Sequence, residues 1–390
     1  MSRFVATAVG HGAGPARVGL LIAGLGPAGT ALVSAARAAG ALDGWLDHGL
    51  LVVDPGGDGS GRLGQYAVRS DTTGRVFAEV SRGELVAPTP HEAALLARCD
   101  RDEPVPLSVA ARLLAVAARP ILTALAPARV AGVVTALRPG PDGTAVTIDT
   151  GDRSRSVLAR QVVVASGGRA WIPAAIARQR SDVVHSDAVI RRRVTGRGRV
   201  LVVGASHSAF SAARVLLQQE GVEAVTIAHR SPVRVTYADT TAAAADGCWF
   251  GPRDVCPATG RVFRFAGLRT DAGELYRAIR DGAETRVTLT RGPIDSSLVR
   301  SADLVVAATG YTQRVARLLP PGPGRCTFDQ RGALYRGGHR VPGIFGLGLG
   351  AGRRRDAATG GEPSFTSAID GVWFYRNVVA PALLERLSSG

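Results

Sequence analysis

The sequence predicts an α/β fold in which one doubly wound, Rossmann-like nucleotide-binding domain is interrupted by a second of the same kind. Three observations carry this reading. A strand, a glycine turn, a helix and a second strand stand near the start of the chain, the same order recurs near residue 200, and an apolar strand at 304–307 resumes the first pattern.

The elements follow in order. Residues 1–17 are polar and glycine-rich, unlike the apolar stretch of a signal peptide, and read as an arm ahead of the first strand. The apolar run 18–22 enters Gly24-Leu25-Gly26-Pro27-Ala28-Gly29, a small-residue helix extends to about Ala39, and the run 50–53 ends on Asp54. Gly24 permits a sharp exit from the strand, Gly26 lets the backbone approach a pyrophosphate, and Gly29 lets helix and strand pack closely. The helix N-terminus offers free amides and a partial positive charge to phosphates. Asp54, 25 residues beyond Gly29, stands at a strand end where its carboxylate is expected to accept both ribose hydroxyls. Together these features point to a bound adenine dinucleotide.

A helix is expected over 107–125, kinked or broken at Pro120. Short strands at 133–137, 145–148 and 156–164 are separated by turns at Pro141-Asp142-Gly143 and Thr150-Gly151-Asp152. The second unit opens at 199–203 and enters Gly204-Ala205-Ser206-His207-Ser208-Ala209, where Ser206 is small enough for a close-approach position and Ala209 still allows close packing. Its next strand, 223–228, ends at His229-Arg230. Arg230 occupies the place that Asp54 has in the first unit. An arginine there clasps a 2′-phosphate where an acid would prefer the bare ribose, so the second unit is expected to take NADPH over NADH. An irregular, aromatic-dotted stretch covers 231–265, with Tyr237, Asp239, Trp249 and Phe250 as candidates for either a substrate wall or a small satellite core. The last strand, 341–347, runs into Gly348-Leu349-Gly350, and a closing helix is expected over 366–387. Arg353 to Arg355 are candidates to neutralise a phosphate or carboxylate, and Glu362 to Thr366 to begin the helix over the first cofactor.

Composition bounds the function. The net charge of +15 arises entirely from arginine, since the chain has no lysine, and its basic runs are too short for a nucleic-acid track. Cys99, Cys248, Cys256 and Cys326 include no Cys-x-x-Cys pair, which argues against a disulfide reductase, and neither they nor the histidines cluster as metal ligands. No run is long and apolar enough to suggest a membrane span. The expectation is a cytoplasmic protein with reduced thiols, acting on a small molecule without nucleic acid, membrane or metal.

With these motifs in place the chain resembles, over about 18–385, the two-dinucleotide flavoproteins, and among them the flavin-dependent N-hydroxylating and related class B monooxygenases. Asp303 followed by Leu304-Val305-Val306-Ala307 and Ala308-Thr309-Gly310-Tyr311 is similar to that family's Ala-Thr-Gly-Tyr segment. His185-Ser186 looks like the end of a longer family fingerprint whose leading phenylalanine and glycine, and following aromatic, are missing here. Ser208-Ala209 resembles the Gln-Ser-Ala form of the amino-acid N-hydroxylases, with His207 in place of glutamine.

The resemblance implies FAD in the first domain (18–194 and 305–390, including the C-terminal helix) and NADPH in the second (195–304). Thr309 and Gly310 join the cofactor contacts of Gly24, Gly26, Gly29, Asp54, Gly204, Ser206, Ser208 and Arg230. Gln65, His185 and Tyr311 are the candidate catalytic residues: Gln65 beside the flavin ring or nicotinamide, His185 coupling the two domains. Ser70 and Thr72 are further candidates to touch phosphate or ribityl oxygen. The implied reaction is hydride transfer from NADPH to flavin, then oxygen transfer through a flavin hydroperoxide to the nitrogen of an amine or amino acid. Homo-oligomerisation is a class-level expectation only. A flavin oxidase or NAD(P)H-dependent reductase of a small metabolite remains the alternative enzyme, and a nucleotide-binding regulatory protein the alternative outside catalysis.

Overall fold

The computed structural model describes residues 15–85, 87–349, 351–354, 359–369 and 371–388. Its first elements are β1 (Ala16–Ala23), α1 (Pro27–Ala38), β2 (Leu50–Asp54), β3 (Arg69–Thr73), α2 (Leu107–Ala124), β4 (Arg129–Ala131), β5 (Val133–Gly140), β6 (Gly143–Asp149), β7 (Ser154–Val164) and β8 (Gly168–Ala170). There follow β9 (Val184–His185), α3 (Ser186–Ile190), β10 (Gly198–Val203), α4 (His207–Leu217), β11 (Val222–His229), α5 (Thr270–Arg280), β12 (Val287–Arg291) and β13 (Leu304–Ala307). The chain closes with β14 (Tyr311–Gln313), β15 (Cys326–Phe328), β16 (Ala333–Arg336), β17 (His339–Gly346) and α6 (Ala380–Ser388), and further helices and short strands fill the intervals.

These strands form two main sheets. The larger runs β15-β16-β17-β7-β1-β2-β4, with the β5–β6 hairpin joined through β6 to β7. Its centre is parallel, and β17, from the far end of the chain, lies beside β7 with Gly346 opposite Val164. The smaller sheet runs β9-β13-β10-β11-β12 and is parallel throughout. Because β9 pairs with β13, Val184 opposite Val306, this sheet starts ahead of residue 195 and ends past residue 304.

Strand alternation explains the continuous apolar runs. In β1, Leu20 and Ile22 face α1 and α6, whereas Leu21 and Ala23 face the β5–β6 hairpin, so both faces are covered. In β10, Val200 and Val202 pack with Phe210 and Leu216 of α4, whereas Leu201 and Val203 pack with Val299 and Ile176 on the other face. Each sheet is thus sandwiched, and the strand ends that carry the glycine turns are left to meet ligands.

Three expected elements differ. The strand at 304–307 does not resume the first domain: as β13 it lies between β9 and β10 in the smaller sheet. Helix α2 passes through Pro120 without a break, because Val116, Ala117, Ala118 and Ile121 around it are buried and hold the turn in register. Half of α2 is buried inside the fold, and it is the one described helix long and apolar enough to cross a membrane. The closing helix does not begin at Thr366: Ala368–Ile369 pairs as a strand with Arg353–Arg354, and helix starts only after Gly371, whose φ of 145° suits glycine. A π turn at Tyr375–Val379 then precedes α6, whose Pro381 lacks the N–H to continue the α pattern backwards. Gly350 and Arg355 lie outside the described residues, as does most of the N-terminal arm.

Candidate active site

The first glycine turn is shaped as its spacing demands. Gly24 has φ +102°, and a Cβ there would stand 2.7 Å from the Ala165 carbonyl oxygen of the neighbouring strand end. A Cβ on Gly29 would be driven into the carbonyl of Gly24. Gly26 caps α1 without any side-chain hydrogen bond, no acid occupies the first turn, and the nearest approach to its open side is Gly61 Cα at 3.5 Å. The amides of this helix start are therefore unclaimed by side chains, which fits a pyrophosphate.

Asp54 departs from its expected role. It is buried, and its Oδ2 accepts from Leu25 N at 2.8 Å while Oδ1 accepts from Gly56 N at 3.0 Å and Gly57 N at 2.7 Å, with Arg129 Nη2 at 3.4 Å. Oδ1 is saturated and Oδ2 keeps one lone pair, so Asp54 can take one ribose hydroxyl at most and chiefly builds the loop that follows β2. Ser70 is likewise committed: its hydroxyl donates to Thr72 O at 2.5 Å and accepts from Val105 N at 3.2 Å.

The second turn repeats the geometry with other residues. Gly204 has φ +121°, and a Cβ would collide with the Ala308 carbonyl. Ser206 is the N-cap of α4 but makes no capping bond with its side chain, and the first turn holds no acid. Ser208 is half-buried one residue into the helix, and Ala209 is fully buried. His207 Nε2 accepts from Arg269 N at 2.9 Å, so the proton sits on Nδ1, and burial pushes its pKa down to about 4. Arg230 is exposed directly after β11 and has no ion-pair partner among the described residues. These residues fit a phosphorylated dinucleotide.

Between the two turns lies a polar junction that gathers all three candidate catalytic residues. His185 caps α3: its Nδ1 accepts from Asp187 N at 3.1 Å and its Nε2 donates to Gly310 O at 2.9 Å, while burial lowers its pKa. The Tyr311 ring meets it edge-on with centroids 5.1 Å apart. Thr309 and Gly310 are held from the entry side, Thr309 Oγ1 donating to Trp171 O at 2.5 Å and Gly310 O accepting from Trp171 N at 3.1 Å. Asp187 Oδ1 accepts from Tyr66 OH at 2.7 Å and Tyr311 OH at 3.2 Å, and Oδ2 from Arg191 Nη1 at 3.1 Å. Burial opposes the Asp187 charge, but these donors outweigh it and hold its carboxyl below the usual range, while burial and the same carboxylate push Tyr66 up to about 12. Arg191 also donates to Gln65 Oε1. Sequence reasoning missed Asp187, although an acid directly after His-Ser and four residues before an arginine was a readable signal.

The rest of the interface is a cleft with a clasp. Asp271, at the start of α5, pairs with Arg69 of β3, Arg269 pairs with Asp71 at 3.3 Å, and Thr270 Oγ1 donates to Ser70 O at 3.3 Å. Beside it Tyr66, Val68, Arg69, Ser108, Arg214 and Gln218 line a cavity of about 300 Å³. The irregular stretch forms the satellite core: Tyr237 packs with Val235, Val262 and Phe263 and donates to Asp246 at 2.7 Å, Phe250 leans on that cluster, and Asp239 caps the helix Thr240–Ala245. Trp249 alone of the four stands 86% exposed. Glu362 is fully buried and accepts from Phe265 N and Ala266 N, anchoring this stretch.

Comparison with known proteins agrees with this arrangement. Residues 128–246 match the family model of L-lysine 6-monooxygenase/L-ornithine 5-monooxygenase. The CMP-5'-(3-aminopropyl)phosphonate hydroxylase of Streptomyces rubellomurinus is 30% identical, the match covering 94% of this chain and 96% of that protein. Among solved structures, the ornithine N-hydroxylase of Kutzneria sp. 744 superposes with a TM-score of 0.57 at 18% identity, covering 96% of this chain and 99% of that one. The L-lysine 6-monooxygenase of Pseudomonas syringae gives 0.60 at 16% identity over the same shares, and both establish the shared fold. With two dinucleotide turns on one frame and a near full-length relative, the chain belongs to the FAD- and NADPH-dependent N-hydroxylating monooxygenases of class B.

Proposed function

We propose that this enzyme hydroxylates a primary amine at the end of a short chain whose other end carries a nucleotide-linked phosphorus anion, in preference to a free amino acid. The near full-length match to a hydroxylase named for a CMP-linked aminopropylphosphonate carries this reading. The interdomain cavity supports it: its volume, about 300 Å³, suits part of such a substrate, Ser108 and Gln218 offer donors to phosphoryl oxygen, and Arg69 and Arg214, although paired with the Asp271 carboxylate on the same wall, keep further N–H groups.

In this reading the FAD domain comprises the residues on either side of the smaller sheet, with Gly24, Gly26, Gly29, Asp54, Thr309 and Gly310 toward FAD. Gly204, Ser206, Ser208 and Arg230 hold NADPH. Gln65, His185 and Tyr311 position rather than transfer protons, since His185 has both ring nitrogens engaged and Tyr311 donates to Asp187. Bound FAD, reduced by NADPH, supplies the activation of dioxygen. The chain's part is to present the amine as a neutral lone pair and to keep water from the reacting nitrogen.

The test is a turnover assay under labelled dioxygen with CMP-aminopropylphosphonate, ornithine and lysine in parallel. Labelled hydroxylamine from the nucleotide-linked amine alone is the expected result. Product from the amino acids alone would sink the substrate reading, and turnover without labelled product would favour the oxidase or reductase alternative.

A further inference from the structure

We propose that Asp187 is a positioning residue that ties the orientation of the nucleotide-binding domain to segment 65–67 of the flavin domain, so that hydride transfer and oxygen transfer depend on it. The proposal rests on the assignment of FAD and NADPH to the two domains.

The chain crosses between the domains twice. The way in passes through β8 and the way out through β14, and these two strands pair with each other, Ala170 opposite Tyr311 and Gly168 opposite Gln313. The entering strand β9 and the leaving strand β13 are also neighbours. Helix α3 begins where both crossings meet, and Asp187 is in its first turn. From there its carboxylate takes one hydroxyl from the way out, Tyr311, and one from the flavin domain, Tyr66.

The hold on the flavin domain extends over three consecutive residues. Gln65 Oε1 accepts from Arg191, which Asp187 holds; Tyr66 donates to Asp187; and Ala67 N donates to the carbonyl of Ile190 at the end of α3. Side-chain exposure is 12% for Asp187 and 8% for Arg191, so this is a charge pair largely out of water. Such a pair contributes little net stability compared with an apolar one, and its gain is in geometry, because Tyr66, Tyr311 and Arg191 converge on one carboxylate. His185, immobilised between Asp187 N and Gly310 O, braces the opposite side of Tyr311. A rotation of the nucleotide domain therefore carries residues 65–67 with it. Among the described residues no other carboxylate is bonded to either tyrosine, so the device has one centre.

The experiment compares Asp187→Asn, which keeps shape and one acceptor but no charge, with Tyr66→Phe and the double variant. Unfolding midpoint, FAD content, KM for NADPH, the anaerobic rate of flavin reduction, and the partition of NADPH between hydroxylated product and hydrogen peroxide are measured. An ultraviolet titration of tyrosine ionisation reads the network without any cofactor. Each single variant is expected to retain FAD and to keep KM within about twofold, while reduction slows roughly tenfold to a hundredfold and peroxide rises. The double variant is expected to be no worse than either single one, since both break one unit. Asp187→Asn is expected to shift the late-ionising tyrosines to lower pH. Wild-type reduction and coupling in both single variants overturn the proposal, as do losses that simply add. If Asp187→Asn fails to fold, Tyr66→Phe alone decides between these results. A wild-type flavin that NADPH does not bleach overturns the cofactor assignment and the proposal together, whereas normal bleaching in an unaffected variant overturns the proposal alone.

Discussion

Arg230 stands exposed at the end of β11 without an ion partner among the described residues, as a residue waiting for a phosphate would. Replacing it with alanine is expected to raise KM for NADPH about tenfold or more while leaving NADH nearly unchanged, because a charge-assisted bidentate contact contributes about 1.5–3 kcal/mol. Steady-state kinetics with both nucleotides checks this. Asp54 was legible only in part: an acid at a strand end reads as an acceptor of both ribose hydroxyls, whereas the loop geometry shows it also gripping Leu25, Gly56 and Gly57. Asp54→Ala is expected to cost roughly 1–3 kcal/mol for the buried Leu25 N–H alone, seen in denaturant unfolding, and to lower FAD retention. His207 makes a pH prediction. Its pKa falls from 6.5 to about 4 on folding, so the unfolded chain binds the extra proton between those values, and stability declines as pH falls through that window. His207→Gln, which keeps an acceptor for Arg269 N but does not titrate, is expected to flatten that part of the unfolding profile.

At the level of elements, the two strand–turn–helix units were readable because each needs glycine where no side chain fits. Gly29→Ala is expected to cost about 1–3 kcal/mol by overpacking and to reduce bound FAD, measurable by thermal unfolding and flavin absorbance. The closing helix was misplaced because apolar spacing alone does not reveal the strand at Ala368–Ile369 or the left-handed residue Gly371. The clasp between β3 and α5 was invisible for another reason. Arg69-Ser70-Asp71 and Arg269-Thr270-Asp271 are two short polar runs 200 residues apart, and nothing local says that each pairs with the other in reversed order. Its pairs are partly exposed and individually weak, about 0.2–1 kcal/mol. Arg69→Asp is expected to lower coupled hydroxylation, and adding Asp271→Arg to restore part of it, with the difference shrinking at high salt.

Across the whole molecule, the family and the order of its two domains followed from motifs that occupy a small share of the chain. The junction did not, because Tyr66, Asp187 and Tyr311 come from three separate stretches and acquire meaning only when brought to one point. Gln65, His185 and Tyr311 were each singled out separately; Asp187 bonds His185 and Tyr311 directly and reaches Gln65 only through Arg191.

The insertion itself has a consequence for how the protein is made. Strand β7 ends at Val164, yet its neighbour β17 begins only at His339, and all of the smaller sheet is synthesised between them. On the ribosome that parallel sheet has every strand it needs once Ala307 has emerged, whereas the larger one must wait with an open edge. The nucleotide domain is thus positioned to fold first and to serve as the template on which the last strands find their place.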